Sequence, residues 1–347
     1  MIAAPLSEWA EVALRLLRRC ARATAADDPE LAARARPQLE ELVWRQIDSL
    51  YYLAFEPDAP TQRLYDKLWQ AQQRGLETIL ARLADEGVRP VVIKGAELVR
   101  RHYGAHAMGL LRDVDLLVER ADLGKTARIL AQLGYLDWVW DRTRGGWYDR
   151  DPLEAARATL QHYELMPVTL LVPLELDAAE LAAARPLCRA SSPLVLIDDR
   201  CHALLDVDVH HGLGRNVDVQ ELFARAIPSA FASARTFGTT DHLWFLVKRS
   251  YVEVAQHGRR SLRPFAYLAP LLRAGDVDWT LLRRLAEQFE SGPALYYWLS
   301  FLDGLADGGL VPEDFLADMH PLRRGRAGDL GWQLAPMFDA VEPPPIR

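Results

Sequence analysis

The sequence contains few cysteines and no long apolar run. The three cysteines, at positions 20, 188 and 201, are an odd number and lack the paired spacing of zinc sites, so we expect free thiols in a reducing cytoplasm. No stretch approaches the roughly 18 consecutive apolar residues of a membrane-spanning helix. The N-terminus also lacks the apolar core of a signal peptide. These absences predict a cytoplasmic protein without a membrane partner.

Positive charge is scarce as well, and lysine above all. The net charge is −7 at pH 7, and lysine occurs only at positions 67, 94, 125 and 248 among 41 basic residues. Proteins that bind polynucleotides usually carry a basic surface, because the neutralisation of phosphates supplies their affinity. The charge balance therefore disfavours RNA as a partner.

Apolar periodicity divides the chain into three regions. Residues 1–87 and 216–347 repeat apolar side chains at helical spacing. Residues 88–215 instead contain short apolar runs bounded by turn residues, which indicate strands. We predict an α+β fold, in which residues 88–215 form a core with a small mixed β-sheet, flanked by an N-terminal and a C-terminal helical region.

Acidic residues alternate along two of the predicted strands. Asp113 and Asp115 share one face of a strand, with Cα atoms about 6.5–7 Å apart. Asp206, Asp208 and His210 share one face of a second strand. Neighbouring carboxylates repel each other, and a bound Mg²⁺, which prefers oxygen ligands, relieves the repulsion. The alternative is a solvated strand face without a cation, which is the commoner case for one such pattern alone.

A lysine and a glycine follow the apolar run 90–93. Gly95 would let the backbone approach a phosphate, and the N-terminus of the following helix favours anions. Lys94 would add a positive charge for a triphosphate. Arg112, directly before Asp113, is a further candidate for nucleotide binding. Taken alone, however, the Lys94-Gly95 dipeptide is more often a turn with a solvated lysine.

Two further features leave alternatives open. The segment 138–148 is rich in tryptophan and arginine. It is either a flap that stacks on a base or an acceptor, or a β-hairpin turning at residues 144–146 with tryptophan on its buried face, which we favour. His162 and Glu164 either share a strand face near the acidic residues or occupy ordinary hydrogen-bonded positions, which is the more common situation.

Together these motifs resemble a known family. The motifs are Val-Ile-Lys-Gly-Ala-Glu-Leu at 92–98, Asp-Val-Asp-Leu-Leu-Val at 113–118, Leu-Gly-Tyr at 133–135 and Asp-Val-His-His at 208–211. In this order they resemble a bacterial family of uncharacterised nucleotidyltransferases, which are members of the DNA polymerase β-like superfamily. The resemblance covers roughly residues 88–290.

The resemblance implies an activity and roles for several residues. It implies two Mg²⁺ ions, a nucleoside triphosphate donor and transfer of a nucleotidyl group, with AMP as our first choice, accompanied by release of pyrophosphate. Asp113, Asp115 and Asp208 would hold the metal, Asp208 would alternatively deprotonate the acceptor, and Asp206 is the second choice for the third carboxylate. Lys94 and the amide after it would bind the phosphates.

The acceptor stays open, because a fold does not determine it. We expect a hydroxyl or phosphate of a small molecule, peptide or protein. The alternatives are a toxin-like enzyme that modifies RNA and a catalytically silent binding module. Three residues depart from the family pattern: His211 replaces a tryptophan, Tyr267 replaces an acidic residue, and Arg112 lies closer to Asp113 than the family's arginine does.

Overall fold

The computed structural model describes residues 6–25, 27–141, 146–149, 151, 165, 167–189, 192–214, 217–320 and 337–338. The chain forms two compact units, one made of Met1–Pro57 and Thr239–Arg347 and the other of Asp58–Gly238. The boundaries of these units differ from those of the three regions 1–87, 88–215 and 216–347 that the apolar periodicity indicated. Periodicity shows which face of a helix is apolar, but it does not show which helices that face contacts.

Helices account for most of the described chain, as the apolar periodicity predicted. Their bounds are α1 Glu8–Arg22, α2 Pro29–Ala35, α3 Leu39–Trp44, α4 Asp48–Phe55, α5 Pro60–Asp85, α6 Lys94–Tyr103, α7 Leu123–Gln132, α8 Ala178–Ala184, α9 Val219–Arg225, α10 Thr239–His257, α11 Arg263–Arg273, α12 Trp279–Gln288, α13 Gly292–Leu305 and α14 Glu313–Met319. In the part of the chain that the structure describes, no helix is both long and apolar enough to cross a bilayer.

The Asp58–Gly238 unit contains a mixed seven-stranded sheet, and the α+β class is thereby confirmed. The strands are β1 Val91–Ile93, β2 Asp113–Leu117, β5 Val168–Pro173, β6 Leu194–Ile197, β7 Arg200–His210, β8 Ile227–Pro228 and β9 Arg235–Thr236, and a separate pair consists of β3 Trp138–Asp141 and β4 Gly146–Asp149. The order across the sheet is β5-β7-β2-β1-β9-β8, and β6 also pairs with β7. β2 runs parallel to β7 and antiparallel to β1.

The long strand β7 begins at a tight hairpin turn from β6. Asp198 and Asp199, between the paired residues Ile197 and Arg200, both have positive φ, at 47° and 58°. Two consecutive residues of this kind are typical of a type I′ turn, whose twist matches that of the flanking strands. The turn thus fixes the register in which β7 enters the sheet.

Polar side chains of α5 fasten the segment that leads into β2. Gln62 Nε2 donates to the Ala107 carbonyl at 3.1 Å, and Gln72 Nε2 donates to the Leu111 carbonyl at 2.8 Å. Asp66 Oδ1 accepts the Ala107 amide at 2.7 Å. Both glutamines are buried. Buried carbonyl groups need hydrogen-bond partners. In this irregular segment side chains of α5 supply them, and they hold the chain in place directly before β2.

A buried carboxylate on α6 holds the loop between β8 and β9. Glu97 is fully buried and accepts the Ala230 amide at 3.1 Å and the Ser229 hydroxyl. Arg101, one turn further along α6, forms an ion pair with the same carboxylate at 2.7 Å. A buried charge is tolerated only when it is paired and hydrogen-bonded in this way. The arrangement fastens α6 to the far edge of the sheet.

The described residues of the other unit form helices joined by loops and contain no strand. In its core, Phe265 stacks on Trp298 at 4.5 Å between centroids and meets Phe301 at a tilt, at 4.8 Å. All three rings are buried. Large rings bury much apolar surface and account for a substantial share of such a core, so the helical periodicity of the C-terminal region reflects packing.

Candidate active site

The parallel pairing of β2 with β7 places the acidic residues of both strands on one face of the sheet. Asp113 lies opposite Asp206, and Asp115 lies opposite Asp208. Directly paired residues of neighbouring strands project to the same side. The opposite face is buried and apolar, with Val114 and Leu116 of β2 and Leu205, Val207 and Val209 of β7. The two acidic patterns, far apart in sequence, thereby form one continuous acidic surface.

Three side chains of this surface converge closely. Asp115, Asp208 and His210 each offer one ligand atom, and these atoms all lie within 4.8 Å of one another. Asp115 and His210 are buried, each with 3% of its surface exposed, whereas Asp208 is half-buried. We call Asp115, Asp208 and His210 the acidic cluster. Because Asp208 is half-buried, the acidic cluster is accessible to solvent at this residue.

Asp115 is ionised because two neighbours compensate for its burial. Burial raises the pKa of this carboxyl, but the Lys94 ammonium and the His210 ring lower it by more, so that the net pKa is about 2. Lys94 Nζ donates to Asp115 Oδ1, and His210 Nε2 lies 2.9 Å from the same oxygen. Since an ionised carboxylate can only accept, Nε2 of His210 carries the hydrogen and donates it.

Lys94 is the first residue of α6, directly after β1, and it has an uncommon backbone conformation. Its φ of 58° lies in the left-handed region, which residues other than glycine rarely adopt. Gly95 follows it, buried in the first turn of α6. The left-handed residue of this turn is thus the lysine itself. Its ammonium reaches Asp115, whose Cα lies opposite that of Ile93 at the end of β1.

The remaining predicted acidic residues lie on the same face with different surroundings. Asp113 is half-buried at the first position of β2, and Arg112 directly precedes it. Asp206 accepts a hydrogen bond from the hydroxyl of Thr169 on β5. This contact was not anticipated, although the alternation of β5 could have placed Thr169 on a polar face. Among the described residues, the cluster contains Asp208 and neither Asp113 nor Asp206.

The aromatic segment contains an antiparallel strand pair, as the favoured hairpin alternative requires, and positions 144 and 145 of its predicted turn lie outside the described residues. Trp140 pairs with Trp147 across β3 and β4, and their rings meet edge to face at 5.3 Å. The expectation that its tryptophans are buried is wrong: Trp138 is 40% exposed, and Trp140 and Trp147 are half-buried. A two-stranded ribbon has no second layer to cover both faces. Two other candidates, His162 and Glu164, lie outside the described residues.

The chemistry of the acidic cluster fits a divalent cation. Asp115 and Asp208 supply carboxylate oxygens, which are the ligands that Mg²⁺ prefers, and few protein ligands leave room for a phosphate. The burial of Asp115 beside an ammonium shows that this position already requires a positive neighbour. A cation held here would adjoin the Lys94 turn and the first turn of α6.

Comparison with known proteins finds a family and no individual relative. The profile of the family described as uncharacterised nucleotidyltransferases matches residues 26–306. No curated protein matches, and no solved structure matches. The matched range includes both acidic strands, the Lys94 turn and most of the C-terminal helices.

Proposed function

Because the chain belongs to the uncharacterised nucleotidyltransferase family, we propose that it transfers a nucleoside monophosphate, preferentially AMP, from a nucleoside triphosphate. The acceptor is a hydroxyl or phosphate oxygen of a small molecule, peptide or protein, and pyrophosphate is released. The observation that supports this proposal is the register of β2 with β7, which assembles Asp115, Asp208 and His210 beside Lys94. Two metal ions are expected from the donor chemistry.

Asp113, Asp115 and Asp208 would hold the Mg²⁺. When bound, the cations neutralise charge on the triphosphate and on the attacking oxygen, which supplies much of the catalysis in phosphoryl-type transfers. His210 orients the Asp115 carboxylate through its Nε2 hydrogen, as hydrogen-bonded neighbours commonly orient ligands in metal sites. Asp206, bonded to Thr169, is the second choice for the third carboxylate.

The phosphates would bind at the start of α6. This helix is ten residues long, so the free N–H groups of its first turn and its dipole favour an anion. Gly95 lies in that turn, and the Lys94 ammonium lies at its entrance. Arg112, half-buried before β2, is a further candidate for a phosphate contact.

The transfer itself needs one base and one leaving group. The acceptor oxygen attacks the α-phosphorus, the bond from that phosphorus to the bridging oxygen breaks, and pyrophosphate leaves with the electron pair. In the alternative in which Asp208 acts as the base and not as a metal ligand, the acceptor proton passes to its half-buried carboxylate. Lys94 stabilises the negative charge that remains on the pyrophosphate.

A double substitution tests the proposal. We expect Asp113→Asn with Asp115→Asn to weaken Mg²⁺-dependent ATP binding by at least about tenfold, roughly 1.4 kcal/mol, and to abolish transfer. The matched control is Asp198→Asn with Asp199→Asn, since both aspartates are exposed in the β6–β7 turn and asparagine tolerates their positive φ.

Binding is measured by calorimetry and by thermal shift with each of the four common triphosphates. Undiminished nucleotide binding and transfer in the Asp113→Asn, Asp115→Asn protein would show that the acidic residues are assigned wrongly. A silent binding module would bind no triphosphate in the wild-type protein either. Transfer of label to RNA, and to no other acceptor, would favour the toxin-like alternative.

A further inference from the structure

Lys94 forms an ion pair with the buried carboxylate of the acidic cluster. Its ammonium and the His210 Nε2 hydrogen are both donated to one oxygen, Oδ1 of Asp115. The Asp115 side chain is 4% exposed, whereas that of Lys94 is 22% exposed. A buried carboxylate without a counter-charge would be strongly destabilising. Lys94 thus supplies the positive charge that a metal would otherwise bring.

We propose that Lys94 is a displaceable counter-cation, which competes with the divalent metal for Asp115 and moves to the triphosphate when metal and nucleotide bind together. The inference rests on the proposed function and deepens it. It makes Lys94 the residue that couples metal binding to nucleotide binding, so that the protein takes up the metal–nucleotide complex in preference to the free metal.

The competition follows from charge and geometry. An ammonium and a divalent cation on the same carboxylate repel each other strongly, because at such short range and low exposure the solvent screens them poorly. Asp115 and His210 lie on β2 and β7 and are fixed by the sheet. Lys94, the first residue of α6, is more exposed than Asp115 and has a flexible unbranched stem, so it is the group that moves. A triphosphate at the start of α6 offers it a new anionic partner.

The type of residue and its backbone support the same role. Arginine is the usual cation of this chain, and lysine is rare in it. A guanidinium binds a carboxylate in a rigid two-pronged geometry, whereas an ammonium is a compact charge that changes partners easily. The positive φ of Lys94 adds a local conformational cost, and such costs persist mainly where the surrounding structure uses the conformation.

The test measures metal binding directly. Mn²⁺ is titrated into the protein without nucleotide, and free Mn²⁺ is counted by electron paramagnetic resonance. We expect Lys94→Met, which keeps an unbranched stem and removes the charge, to bind Mn²⁺ at least about tenfold more tightly than wild type, equivalent to about 1.4 kcal/mol. The control is Lys67→Met, which removes a lysine from the ion pair with buried Glu180 and should leave Mn²⁺ affinity unchanged.

The second arm repeats the titration with the non-reactive analogue α,β-methylene-ATP. The wild-type protein should bind Mn²⁺ much more tightly with the analogue present, and Lys94→Met should lose most of this gain. Lys94→Gln serves if the methionine variant does not fold, as judged by circular dichroism without metal.

Unchanged or weaker Mn²⁺ binding in a folded Lys94 variant would overturn the counter-cation role. If Mn²⁺ binding tightens in the variant but the analogue has no effect on wild type, the counter-cation role stands, and the coupling and the proposed nucleotidyl transfer are both refuted. The failure of the inference and the failure of the proposed function are therefore distinguishable.

Discussion

Acidification should weaken the Asp58–Gly238 unit in part by protonating the carboxyl group of Asp115. Burial raises the pKa of this group, but the Lys94 ammonium and the His210 hydrogen bond bring it to about 2, below the ordinary value of 3.8. A carboxyl whose pKa is lower in the folded than in the unfolded chain stabilises the fold above the unfolded value. That stabilisation is lost as the pH falls through the folded value.

The size of the effect follows from the difference between the two pKa values. At about 1.4 kcal/mol per pH unit, Asp115 contributes on the order of 2 kcal/mol to the free energy of unfolding at neutral pH. Because the group is almost completely buried, solvent screening takes away little of this. Linkage predicts that about 1 kcal/mol of it is lost between about pH 5 and about pH 3.

The assay compares wild type with Asp115→Asn by urea unfolding in the presence of a chelator. Hydrogen exchange of the β2 and β7 amides reports the unit that contains the site, since the two units can unfold separately. The wild-type free energy of unfolding should fall by about 1 kcal/mol more than that of Asp115→Asn over this pH range. The exposed Asp198→Asn variant should follow wild type. Parallel curves for wild type and Asp115→Asn would refute the ionised, ion-paired state of Asp115.

Two packing predictions test the framework around the site. Gly75→Ala in α5 should lower the melting temperature, because the new Cβ would lie 2.9 Å from the Tyr135 hydroxyl oxygen. Such overpacking costs about 1–3 kcal/mol, which exceeds the roughly 1 kcal/mol that alanine gains over glycine in helix propensity. Gly124→Ala, where an added Cβ meets nothing within 4 Å, should not lower it; equal melting temperatures would contradict the clash. Glu97→Gln should lower the free energy of unfolding by about 1–3 kcal/mol, whereas the exposed Glu77→Gln should lower it by less than about 0.5 kcal/mol. Equal stabilities of the two variants in chemical denaturation would disprove the role of the buried carboxylate.

Much of the local structure could be predicted because it depends on neighbouring residues. The alternation of Asp113 and Asp115, and of Asp206 and Asp208, correctly indicated strands with one polar face. The family motifs indicated membership of the uncharacterised nucleotidyltransferases, which the match over residues 26–306 confirms. Each of these patterns occupies a few consecutive residues, so a single sequence carries it.

The long-range contacts could not be predicted in the same way. Nothing local to Lys94 shows that its ammonium reaches Asp115, or that the lysine and not Gly95 takes the left-handed backbone. The sequence marked His210 as a minor candidate, because its bond to Asp115 depends on which strand lies beside β7. Likewise, one unit joins the helices of Met1–Pro57 with those of Thr239–Arg347, whereas the other is a continuous stretch of chain. Apolar periodicity identifies a face to be buried and leaves its partner unspecified.

The register of β7 against β2 brings the two acidic patterns together in one site. Side chains alternate along a strand, so a slip of one residue against β2 would turn Asp206, Asp208 and His210 to the buried side of the sheet. Several contacts oppose such a slip: β6 and its tight turn fix the first half of β7, β5 pairs with its middle, and the apolar residues at 205, 207 and 209 are buried on the opposite face. The same apolar packing that stabilises the sheet therefore places Asp208 opposite Asp115, and the chemistry proposed here depends on a register that the core determines.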